Sequence, residues 1–345
     1  MSQILAVRGN NPLRALERIE WPAELAVAGE ATVDVVDEIP VRATVGATGS
    51  HVTGVDSDAD VIVVQNPLDR FLAESVVAAK REGRRIVVDV DVDWWTIPPH
   101  AAGHRSTTSL HSSKKWLDLA VSAADLITVP SARLLDRFAG TDVEATVLRP
   151  KIPEQLIVDP ETITGTGPSQ IVWYGSTADQ PDDLGPVSRP VRELLRTGRA
   201  RLTIIGPEAG IARAFGAPFD ANSFWISGEL EPMAAFELLA ARAGQIGIAP
   251  FKDVVFNKAR GWSWPLLYAA CGLVPVMSPL PEHELLKEEH GIGVLVDQGS
   301  DWRSTLTRLS VRSDERLDLA RAAATGVGAL TFEAAAAEWA LAWLG

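Results

Sequence analysis

The chain has 345 residues, 46% of them apolar and 22% charged, a balance that supports buried cores and excludes a disordered polymer. Its formal net charge of −13 argues against a surface built as a whole to grip nucleic acid, which needs clustered Lys and Arg. A lone cysteine, Cys271, excludes an intramolecular disulfide and a multi-cysteine metal centre. No apolar window is long enough for a membrane span, and MSQILAVRGNN has no export-signal pattern. A cytoplasmic protein of two domains is expected from these facts.

In chain order, short β-branched runs alternate with helical patterns, the signature of parallel sheets made of βαβ units. The first half predicts strands at 4–7, 32–36, 60–64, 85–90, 126–129 and 145–148, with helices over 70–81, 113–123 and 132–138. From Pro150 to Pro168 neither period holds and prolines cluster, so a linker is expected there. A second series of strands follows at 170–175, 201–206, 223–226, 245–250, 274–278 and 293–296, with helices over 186–196, 232–243, 263–271 and 281–289. The Ala-rich end, 331–344, predicts a final helix packed by Trp339 and Trp343. The pattern is that of an α/β protein with two Rossmann-like doubly wound domains facing each other across a cleft. Their bounds are 1–155 and 165–326, and a helix at about 327–345 returns to the first domain. Ligands in such folds bind at the carboxyl ends of the strands.

The first strand is followed by VRGNNPLRAL, which holds one glycine, Gly9, and not the GxGxxG of dinucleotide enzymes. For Gly9, a tight turn and a backbone cradle for a diphosphate are both open. The run DVDVDWW sets Asp89, Asp91 and Asp93 on one face if the strand stays extended, and either Asp91 or Asp93 is a candidate general base. The histidines at 100, 104 and 111 follow in a polar loop. Of these His100 is the best candidate to reach a substrate, and no cysteine supports a metal site. The cluster Arg105, Lys114 and Lys115 reads either as a solvated helix start or as an attractor for an anionic acceptor.

In the second half YGST at 174–177 and IIGP at 204–207 each close a strand with glycine, so backbone can approach a ligand. They form an ordered set with IGIAPFKDVVFNKARGWSWPLLYAACGLVPVMS at 246–278. This set resembles the GT-B glycosyltransferases related to the glycosyl transferases group 1, in a bacterial and phage-borne branch reading IGLAPL.D..FN.AKS..K.LEYAA.G.PVVAS. The likeness extends from about Asp60 to the end and is strongest over 245–279. It implies a metal-independent enzyme that moves a sugar from a nucleotide-sugar, UDP- or GDP-linked, to a hydroxyl-bearing acceptor. A saccharide, a glycolipid, a protein and a modified DNA base all fit as acceptor, and no resident cofactor is expected.

By the same resemblance Asp253, Phe256, Asn257, Lys258 and Arg260 form the donor loop, with Arg260 where the family has lysine. Gly175 and Ser176 are placed beside the phosphates, and Gly206 and Pro207 border the nucleobase pocket. Two positions depart from the pattern: Leu267 stands where the family has the acid that holds the ribose, and Trp264 replaces a second lysine. Leucine accepts no hydrogen bond. A protein that binds nucleotide-sugar or a protein partner without turnover is the alternative these departures support, and an epimerase is a third fit to the fold.

Overall fold

The computed structural model describes residues 1–46, 49–98, 107–164, 167–175, 182–206, 215, 223–226, 231–297 and 302–345. Of these, 1–97, 107–153 and 332–345 form one compact unit, and 98 and 154–331 form the other. No helix among the described residues is long and apolar enough to cross a membrane.

The first unit is a six-stranded parallel sheet. Its strands are β1 (Ser2–Val7), β2 (Ala31–Val36), β5 (Val61–Gln65), β6 (Arg85–Asp89), β7 (Leu126–Val129) and β8 (Glu144–Val147), in the order β2-β1-β5-β6-β7-β8. The central strands carry continuous apolar runs because helices cover both faces of such a sheet; every residue of β5 is buried. Helix α1 (Pro12–Ala15) runs on into π-helical turns at Leu16–Glu20 and Pro22–Val27. Helices α2 (Arg70–Arg81), α3 (Thr107–Ser122) and α4 (Ala132–Leu135) complete the unit's earlier part. An antiparallel hairpin, β3 (Val41–Gly46) and β4 (Gly49–Val55), is an element that the sequence pattern did not predict. The apolar alternation of β3, Val41, Ala43 and Val45, is short and lies largely exposed, so it buries little and did not stand out in the sequence.

The second unit is also a six-stranded parallel sheet, of order β11-β10-β9-β12-β13-β14. The strands are β9 (Gln170–Tyr174), β10 (Arg201–Ile205), β11 (Ser223–Ile226), β12 (Ile246–Ala249), β13 (Val274–Met277) and β14 (Val294–Leu295). Its helices are α5 (Gly185–Arg196), α6 (Pro232–Ala240), α7 (Val255–Lys258), α8 (Ser263–Ala270), α9 (Pro281–His290), α10 (Trp302–Val311) and α11 (Ser313–Val327). Gly247 in β12 is required by packing, since a Cβ there would lie 2.5 Å from the ring of Tyr268. Numbered within its own unit the order is 3-2-1-4-5-6, which reverses direction between β9 and β12. A crevice opens at such a reversal, outside the carboxyl ends of the two strands.

The last helix, α12 (Ala336–Leu344), belongs to the first unit. Trp339 and Trp343 are buried, and an aromatic chain runs from Trp21 through Phe332 and Trp339 to Trp343, with ring centroids 5.5–6.4 Å apart. Arg85 adds hydrogen bonds to the carbonyls of Ala342 and Trp343.

Candidate active site

At the carboxyl edge of the first-unit sheet, the three carboxylates of DVDVDWW meet different partners: Asp89 and Asp91 face Arg18 and Arg14 of one helical segment, and Asp93 faces Arg137. The strand ends at Asp89 and the chain turns, with Trp94 N–H donating to the Val92 carbonyl. Each acid then pairs with a different arginine. Asp89 is 1% exposed and accepts from Arg18 at 2.5 Å and from the Thr128 hydroxyl at 2.6 Å. Burial pushes its carboxyl above the ordinary range, while the Arg18 charge and hydrogen bonds from Arg18 and Thr128 pull it back. Arg18 also donates to the Leu148 carbonyl and lies 5.0 Å from the Trp339 ring.

Asp91 accepts from Arg14 at 3.2 Å, Gln65 at 3.0 Å and Asn66 at 2.7 Å. Asp93 accepts from Arg137 at 3.2 Å and from the Trp95 N–H, and Arg137 lies 4.8 Å from the Trp95 ring. The side chains of Asp91 and Asp93 are 4% and 6% exposed, against 27% for Arg14 and 34% for Arg137. Arg14 and Arg137 therefore face solvent more than their acids do, whereas Arg18 is as buried as Asp89. Asn66, at φ 45°, is the one non-glycine residue with positive φ among the described residues, and its amide also takes the Trp94 indole N–H at 3.0 Å.

The Gly9 N–H donates to Gln65 Oε1 at 2.8 Å and so is not turned outward to a diphosphate. His100 lies outside the described residues, as do Ser176, Pro207, His104 and Arg105. Lys114 donates to the Trp95 carbonyl at 3.0 Å, and the Lys115 ammonium lies 4.7 Å from the Trp116 ring.

In the second sheet Gly175 and Gly206 directly follow β9 and its neighbour β10, with φ of 153° and 145°. The Gly175 N–H donates to the Ile205 carbonyl at 3.1 Å, and a Cβ on Gly206 would stand 2.0 Å from the Gly175 carbonyl oxygen. The backbone of residue 206 passes this close to Gly175 only because Gly206 carries no side chain. Tyr268 accepts the Tyr174 N–H at 2.9 Å, and Trp264 packs edge-on against Tyr174 at 5.1 Å. In place of a second lysine, Trp264 thus supplies a wall.

The loop after β12 carries Arg260. Its Nε donates to Asn257 Oδ1 at 3.1 Å, and its guanidinium lies 5.2 Å from the Phe251 ring and 5.1 Å from the Phe256 ring. Phe256 and Asn257 are 5% and 1% exposed, so these two motif residues hold Arg260 more than they present themselves. Asp253 and Lys258 form an exposed ion pair at 2.6 Å, an arrangement worth at most about 1 kcal/mol. Leu267 is 1% exposed within α8 and occupies the core, lining no crevice.

Two groups that the sequence reading did not single out adjoin this loop. Asp183, just before α5, accepts from the Lys252 N–H at 3.0 Å and from Asn257 Nδ2 at 2.9 Å. Burial raises its pKa, while these bonds and the charges of Arg260 and Lys252 oppose the shift. His283, 1% exposed at the start of α9, packs at a tilt against Phe251, with ring centroids 5.6 Å apart, and bonds through Nδ1 to the Ser278 carbonyl at 2.8 Å. Burial lowers its pKa to about 4, with Arg260 contributing. The available signals were an Asp-Asp pair opening a helix and a histidine just past a strand end, both of which are commonly structural.

No protein-family model matches the chain, and no curated protein matches it in sequence. Solved structures do match in fold. Sucrose-phosphate synthase from Thermosynechococcus elongatus superposes with a TM-score of 0.64 at 11% identity, covering 98% of this chain and 97% of that one. The UDP-forming α,α-trehalose-phosphate synthase from Burkholderia xenovorans, solved with glucose-6-phosphate, gives 0.62 at 11% identity and covers all of both chains. A trehalose-6-phosphate synthase gives 0.60, also at 11% identity, over 100% of this chain and 98% of the other. The chain shares the GT-B fold of two Rossmann-like domains with these synthases.

Proposed function

We propose that this protein transfers a sugar from a UDP- or GDP-linked donor to a hydroxyl-bearing acceptor, without a metal ion. The observation that carries the reading is Arg260, held by Asn257 between Phe251 and Phe256 in the loop after β12, in the unit where Gly175 and Gly206 end adjacent strands. In the reaction the bond from the anomeric carbon to the diphosphate breaks and a bond to the acceptor oxygen forms. The acceptor proton passes to a base, and Asp91, Asp93 and His100 remain the candidates. Arg260 supplies the fixed positive charge that the leaving diphosphate requires as its own charge grows. The shared fold with a UDP-forming synthase supports the donor class, and glucose-6-phosphate therefore belongs in the acceptor screen. We place the reaction in the cytoplasm, in keeping with the single buried thiol of Cys271.

A thermal-shift screen of nucleotide-sugars identifies the donor, since stabilisation scales with affinity for the native state. With that donor, Arg260→Ala is expected to lower turnover by about a hundredfold or more, the usual cost of removing one group that stabilises developing charge. Unchanged turnover would sink the assignment. The core placement of Leu267 favours a second reading, a binder without turnover. Donor binding with no nucleotide release across the acceptor panel would select it.

A further inference from the structure

We propose that Asp183 is a positioning residue for Arg260, acting through Asn257 to fix the guanidinium in the attitude that receives the donor diphosphate. The proposal rests on the reading of Arg260 given above and extends it to a residue outside the loop motif, 74 positions away from its partner.

The chain of contacts is directional. Asn257 Nδ2 has two hydrogens and meets two acceptors, Asp183 Oδ1 at 2.9 Å and the Lys252 carbonyl at 3.0 Å. With both hydrogens committed, the amide has one orientation, and its Oδ1 faces Arg260 Nε at 3.1 Å. Were the amide reversed, its NH2 would point at a guanidinium N–H and two acceptors would oppose its oxygen. Asn257 is 1% exposed, so water offers no substitute partner. Asp183 also accepts the Lys252 N–H at 3.0 Å, so it anchors the backbone beside Phe251, one of the two rings against Arg260. The same carboxylate therefore sets the amide and one aromatic wall. Asp183 itself is buried, and its Oδ2 has no partner among the described residues.

Two measurements on the full chain separate the relay from the donor reading. In protein labelled with 15N-arginine, the Arg260 Nε–H resonance, identified by its loss in Arg260→Ala, reports the bond to Asn257 without any ligand. Asp183→Ala should broaden or shift it to the solvent-exposed position, whereas Asp183→Asn, which keeps an oxygen at the Oδ1 position, should restore it. Calorimetric titration with UDP and GDP is the second measurement. Asp183→Ala should weaken binding roughly tenfold, the scale of coupling within one hydrogen-bonded network. In the Arg260→Ala background the same change should have no further effect. A resonance that survives Asp183→Ala, or a loss of affinity equal in both backgrounds, overturns the relay. Failure of the unsubstituted protein to bind either nucleotide overturns the donor reading, and the diphosphate role with it.

Discussion

The buried His283 makes the stability of this protein depend on pH in a calculable way. Its Nδ1 faces the Ser278 carbonyl, which only accepts, so Nδ1 carries the hydrogen and Nε2 is a bare acceptor with no partner among the described residues. A second proton would be buried near Arg260, and the folded pKa accordingly falls from 6.5 to about 4. Between these values the unfolded chain takes up a proton that the folded one refuses. Stability is thus fully present above pH 6.5 and is lost as the pH falls toward 4. The full shift corresponds to about 3 kcal/mol, of which roughly 1 kcal/mol is lost between pH 7.5 and 5.5. His283→Asn keeps an N–H near the Nδ1 position but does not titrate. Urea unfolding of both proteins across this range, followed by tryptophan fluorescence, should show their stability difference change by that amount. A difference that stays constant with pH would refute the reasoning.

Two further variants test how the strand ends are built. Gly206→Ala forces a Cβ against the Gly175 carbonyl at a φ of 145° and should cost about 2 kcal/mol or more, read as a Tm several degrees lower. An unchanged Tm would mean that this carbonyl moves aside freely. Arg18→Met leaves Asp89 buried without its counter-charge and should cost about 3 to 5 kcal/mol in chemical denaturation. Adding Asp89→Leu should recover most of that loss, and a double variant no more stable than the single one would contradict the pairing.

Most of the strands were legible because a parallel sheet covered on both faces needs continuous apolar runs, as in VIVVQ of β5 and VPVM of β13. Gly206, closing β10, has a steric reason, since a Cβ there would stand 2.0 Å from the Gly175 carbonyl oxygen. Helices α10 and α11 went unnoticed although Trp302, Leu306 and Leu309, and then Ala320, Ala323, Ala324 and Val327, are buried at helical spacing. The loop at 253–260 was recognisable as a motif, yet the way Asn257, Phe251 and Phe256 hold Arg260 was not.

The sequence by itself determined the alternation of strand and helix, because that rests on neighbours in the chain. Only the tertiary structure decided how the charges pair. Arg18 meets Asp89 across 71 positions, Arg14 meets Asp91 across 77, and Asn257 meets Asp183 across 74. A run of alternating aspartates looks like a shared catalytic face until the chain turns and each acid finds its own arginine. That choice follows from the three-dimensional convergence of strand ends and the cost of burying a charge unpaired, and no local pattern encodes it.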